Sequence, residues 1–88
     1  MQYRMTVDNS RLGITYTVTL RPFGNGWEAA WQAAYSSGEL VRGQSGVVTS
    51  EEIETAFHQT KRLLEDQDQD IIDVDWQFEE PLPPWLTE

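Results

Sequence analysis

Five aspartates stand close together at Asp66, Asp68, Asp70, Asp73 and Asp75. Carboxylates at such spacing suit a hard divalent cation, and the first three are spaced like the opening of an EF-hand loop. The rest of that loop is missing. Ile71 occupies the position that needs glycine, and Gln77 the position that needs a bidentate glutamate. The stretch Asp66 to Asp70 is therefore read as a solvated connector, and neither a metal site nor a cofactor is expected.

The other chemically able residues point the same way. His58 is the only histidine and there is no cysteine. Acid–base or nucleophilic catalysis needs a second group within reach, and no Ser-His-Asp or Cys-His pattern supplies one. His58 is expected at the surface or at the boundary of the core. Trp27 and Trp31 could stack on bases or sugars, but no basic residues interleave them, so they are read as core. Gly24-Asn25-Gly26 and Gly43-Gln44-Ser45-Gly46 lack the Walker and dinucleotide patterns and are read as turn and bulge glycines. No motif commits the chain to a reaction, and it is not expected to be an enzyme.

The C-terminal PLPPWLTE carries recognition chemistry of another kind. Pro81-x-x-Pro84 has the spacing that SH3-type grooves read in polyproline II. Those grooves prefer a basic flank, whereas Glu79 and Glu80 precede this one. Two placements follow for Trp85. It folds back onto its own domain, or it stands out with Leu86 as an apolar anchor for a partner. The residues expected to bind a partner are Pro81, Pro84, Trp85 and Leu86, with Asp73 and Asp75 beside them.

These groups must be positioned by a small scaffold. A chain of 88 residues buries about two-thirds of its unfolded surface and makes one core. Residues 1–80 are read as one domain and 81–88 as a tail. Tyr3, Met5 and Val7 alternate with polar residues, as do Ile14, Tyr16, Val18 and Leu20. That period of two predicts a strand hairpin, which Pro22 should end. WEAAWQAAY, residues 27–35, fits helix by composition and strand by context, and strand is chosen. Residues 39–48 read as a fourth strand, with Leu40 and Val47 or Val48 inward. A helix over about 50–66 is predicted from Thr49 as N-cap, Glu52 closing a capping box and a Val48–Ile53 staple. Its apolar stripe is Ile53, Ala56, Phe57, Leu63 and Leu64. Val74, Trp76 and Phe78 alternate as a last strand. The fold class is α+β, an antiparallel sheet of four to five strands with one helix on one face.

The stretch GVVTSEEIETAFHQTKRLL, residues 46–64, resembles the strand-to-helix passage of HicB-type antitoxin domains. Those share the glycine, the Thr or Ser cap and the Glu-Glu pair. A capping box accounts for most of that likeness, the chain places four strands before the helix where those domains have three, and the family is not assigned.

Charge divides the chain. Residues 1–50 hold four arginines against three carboxylates, a net +1, while residues 51–88 hold two cations against twelve carboxylates, a net −10. Such a surface repels phosphate backbones, so nucleic acid is not expected as a partner. The first residues lack the apolar run of a signal peptide and no stretch reaches membrane-spanning length, so a cytoplasmic protein without membrane association is expected. The leading functional expectation is a small non-catalytic protein-interaction or regulatory module that uses its acidic C-terminal half and Pro/Trp tail. Its partner would be a protein with a basic surface, or a second copy through the sheet. A DNA-mimicking inhibitor and a small ligand-binding domain or enzyme on a Trp-lined sheet are the alternatives.

Overall fold

The computed structural model describes residues 1–86. Five strands form one antiparallel sheet: β1 (Tyr3–Asn9), β2 (Ile14–Phe23), β3 (Gly26–Tyr35), β4 (Leu40–Ser50) and β5 (Gln77–Phe78). One helix, α1 (Ile53–Gln67), lies against the sheet. Short 3-10 turns follow at Gln69–Ile71 and Pro84–Leu86. The order across the sheet is β4-β3-β2-β1-β5, so three hairpins run in sequence and the last strand returns beside the first.

The alternation in the sequence sets the buried face. Met5, Val7, Val18 and Leu20 are fully buried beneath the helix, with Tyr3 and Tyr16 beside them. Residues 27–35 are a strand. Its inward positions run Ala29, Trp31, Ala33, all buried. The two alanines leave room for α1, and Trp31 turns its indole towards β4. There Gly46 leaves the necessary space: a Cβ on it would stand 2.7 Å from the indole Nε1. The next hairpin position follows another glycine rule. Gly24 adopts φ +58°, as the first central residue of a two-residue hairpin requires.

Several boundaries differ from those expected. β2 continues through Pro22 to Phe23, because β1 begins only opposite Leu20 and a proline is tolerated where a strand has a neighbour on one side only. Thr49 and Ser50 do not cap the helix. They stay paired with Glu28 and Trp27, and α1 begins after Glu52, which makes no side-chain cap. Val48 and Ile53 both pack on the core. In β4 the pairing jumps from Gln32–Ser45 to Ala34–Leu40, a bulge that contains Gly43 at φ +75°. The bulge changes the phase of the strand, so Leu40 and Val47 are exposed while Val41 and Val48 turn inward. On the helix Leu63 lies at the exposed margin, and Thr60 takes the buried position, its hydroxyl donating to the Ala56 carbonyl at 2.9 Å. The last strand is two residues long, and Val74 is exposed ahead of it.

The connector after the helix is a clamp. The Asp68 Oδ2 accepts from the Asn9 amide at 2.7 Å and from the Tyr16 hydroxyl at 2.7 Å. Its Oδ1 accepts from the Asp70 N–H at 3.1 Å, capping the 3-10 turn that buries Ile71. Asn9 also donates to Asp70 at 3.2 Å and accepts from the Leu12 N–H at 3.1 Å. Arg11 donates to Asp70 at 2.7 Å. The aspartates thus tie the end of α1 to the β1–β2 hairpin, which corrects the solvated-connector reading. Burial tends to raise the Asp68 carboxyl. The hydrogen bonds from Asn9, Tyr16 and Asp70, with the charge of Arg11, outweigh it and hold Asp68 below the usual carboxylate range. Burial and the same carboxylate push the Tyr16 hydroxyl well above the ordinary phenol value.

Two predictions follow from these contacts. Gly46→Ala drives a methyl into a buried indole and is expected to cost about 1–3 kcal/mol in chemical denaturation. Gln32→Ala, at an exposed position on β3, serves as the near-neutral control. The clamp sets a pH dependence. Because the folded Asp68 value is depressed, its contribution is complete above the unfolded aspartate value of about 3.9 and is lost as pH falls through the folded value. Because Tyr16 is raised, its contribution is complete below about pH 10 and declines above it. Asp68→Asn can accept through only one atom, so it should cost about 1–3 kcal/mol at neutral pH and shrink the acid loss, as read from denaturation midpoints between acid and neutral pH.

Candidate functional site

The acidic half of the chain gathers around one aromatic cluster. Phe57 is buried at its centre on α1. Trp76 meets it edge-on at 5.3 Å, Phe78 at 5.8 Å and an angle of 62°, and Trp85 stacks on it at 5.5 Å and 25°. Trp85 thus folds back onto the helix of its own domain, and Pro83 before it is buried. The local sequence explains this. α1 presents Phe57 beside Ala56, the sheet ends in the short β5, and a stretch of apolar surface between them needs a cover. Each favourable aromatic pair adds about 0.5–1.5 kcal/mol beyond area burial.

This cover is incomplete. Between α1 and residues 72–78 lies an open groove of about 960 Å³. Glu54, His58 and Lys61 line it from the helix. Ile72, Asp73, Val74, Asp75 and Trp76 line it from the segment before and into β5, and Trp85 with Leu86 from the tail. Ile72, Val74 and Leu86 are exposed apolar side chains on its margin. The helix charges are partly spent: Lys61 pairs with Glu65 at 3.0 Å and His58 approaches Glu54 at 3.5 Å. Asp73 and Asp75 have no ion pair among the described residues. The Trp76 indole Nε1 is buried beside the cluster with no hydrogen-bond partner among the described residues, which costs about 1–3 kcal/mol.

Four of the six residues expected to bind a partner therefore meet at one groove: Asp73, Asp75, Trp85 and Leu86. Pro84 lies apart from it, lining a smaller hollow of about 370 Å³ with Trp27, Ile53 and Trp85. Pro81 is exposed and lines neither. Thr87 and Glu88 lie outside the described residues. Sequence reasoning missed Val74 and Trp76 as members of the groove, because their alternation with polar residues matched an inward strand face, and it assigned no role to Ile72.

The alternative chemistries find less. His58 is exposed on the helix, with Glu54 and Trp85 as its near neighbours. Tyr16 and Asp68, whose ionisation is displaced, bond to each other and do not line the groove. Among the described residues no cluster of His, Cys, Asp or Glu has the arrangement of metal ligands. No described helix is long and apolar enough to cross a membrane. On the opposite face of the sheet, Thr15, Thr17, Thr19 and Ala30 form a weakly polar surface, flanked by a buried Glu28 whose carboxylate pairs with Arg21 at 2.8 Å. No protein-family model, curated protein or solved structure matches the chain.

Trp85→Ala removes the ring stacked on Phe57. It is expected to cost about 1–2 kcal/mol, or roughly 4–16 °C in Tm for a domain of this size, by differential scanning calorimetry. An unchanged Tm would mean that the tail contributes nothing to the fold.

Proposed function

We propose that this protein is a small non-catalytic interaction module that receives a basic, amphipathic segment of a partner protein in the groove between α1 and residues 72–78. One observation carries the reading: unpaired Asp73 and Asp75 share a groove with the exposed apolar side chains of Ile72, Val74 and Leu86 over an aromatic floor. Apolar contacts give such a site affinity, and the carboxylates select cationic partners and speed their approach. The remaining carboxylates of residues 51–88 extend the same negative field. Trp85 acts here as the stacked floor of the groove, so the tail shapes the site and does not serve as a free docking peptide.

The test uses a helical Lys/Leu peptide as probe and the indole fluorescence of Trp76 and Trp85 as signal. Saturable binding is expected, weakening with salt as exposed charges become screened over a Debye length of about 10 Å at 0.1 M. Asp73→Asn with Asp75→Asn should weaken it roughly 2–30-fold, since exposed ion pairs contribute about 0.2–1 kcal/mol each. Binding that ignores both salt and the double substitution would refute the proposal. Competition by duplex DNA for a captured natural partner would place that partner among nucleic-acid-binding proteins.

A further inference from the structure

The sheet has two edges, and they are built differently. On one side β5 is two residues long, preceded by Asp75 and followed by Glu79, Glu80 and Pro81. Shortness, charge and proline are the devices by which proteins keep foreign strands from pairing with an edge. On the other side β4 has none of them from Gln44 to Ser50. The run QSGVVTS carries no charge and no proline, and residues 45–50 pair in register with β3. Its far side presents unpaired backbone groups, and Val47 beside them is 60% exposed.

The charges flanking this run are sorted by sign. Arg42 precedes it, and Glu51 and Glu52 follow it. None of the three has an ion pair among the described residues. Two β4 strands laid parallel would set arginine beside arginine and glutamate beside glutamate. Laid antiparallel about Val47, each strand brings the end that carries Arg42 towards the end of the other copy that carries Glu51 and Glu52. Val47 then faces its own counterpart, Ser45 faces Thr49, and Gln44 faces Ser50, so no like charges meet along the strand. Symmetric pairing makes each of these contacts twice.

The geometry points to a second copy of this chain as the occupant of that edge. β4 pairs antiparallel with β4 of the second copy across a two-fold axis, and the two sheets become one. Backbone hydrogen bonds supply the adhesion, as in other cases of strand addition. The flanking charges set the direction and register. This edge shares no residue with the acidic groove, so the groove and the dimer fail or stand separately.

Sedimentation of the full chain over a range of concentrations tests it. A reversible dimer is expected. Val47→Lys places two ammonium groups opposite each other and should weaken the dimer at least about tenfold, with the circular dichroism of the fold retained. Arg42→Glu should weaken it as well, and Arg42→Glu combined with Glu51→Arg and Glu52→Arg should restore it. Thr17→Lys, on the open sheet face, should leave it intact. A monomer at every concentration overturns the proposal. So does a dimer untouched by Val47→Lys and the charge reversal, or one lost with Thr17→Lys.

Discussion

One helix cannot cover both faces of a five-stranded sheet, and the architecture is arranged around that shortage. The buried apolar side chains of β1 to β3 lie on the face that α1 covers, while Phe23 and Tyr35 at the strand ends stay exposed. The uncovered face is left to threonines, alanine and the Arg21–Glu28 pair, which tolerate water. Even the covered face exceeds what 15 helical residues can reach. The margin beyond Phe57 is closed by segments with little regular structure: the 3-10 turn at Ile71, the indole of Trp76 and the tail carrying Pro83 and Trp85. The groove lies where that improvised cover stops.

This distribution explains the placement of charge. A chain with a net charge of −9 must keep its carboxylates apart from one another or give them partners. Asp68 and Asp70 are satisfied by Asn9, Tyr16 and Arg11 and hold the helix end in place. Asp73 and Asp75, a few residues on, meet no such donors. The same aspartate run thus divides into a structural half and a half turned to solvent beside apolar side chains. The division is made by the fold, since the residue type is identical throughout.

Most of the architecture was legible in the sequence. Period-two alternation placed the inward faces of β1 and β2, and context correctly preferred a strand over a helix for residues 27–35, since β3 is held on both sides by neighbours. A sheet of four to five strands, the single helix and a last strand after it also follow from pattern, whereas the pairing of that strand with β1 does not. The misses share a cause. Thr49 satisfied every local rule for a helix cap, yet its backbone was already engaged with Glu28. Leu40 and Leu63 are apolar but exposed, Leu40 because a bulge shifts the phase of β4 and Leu63 because it lies at the margin of the helix stripe. Thr60, Asn9 and Asp68 are polar but buried or half-buried, because a distant partner or a backbone carbonyl satisfies them.

The sequence alone determined which faces of β1 and β2 turn from water, the fold class and the net charge, for these depend on composition and on spacing along one segment. Only the tertiary structure decided where Trp85 lies, which aspartates are clamped, and that Asp73, Asp75, Trp85 and Leu86 share a groove. Those outcomes rest on contacts between segments such as Phe57 with Trp85 and Asn9 with Asp68. Local propensity carries no information about such distant pairs, because their energies arise only once the chain has brought them together.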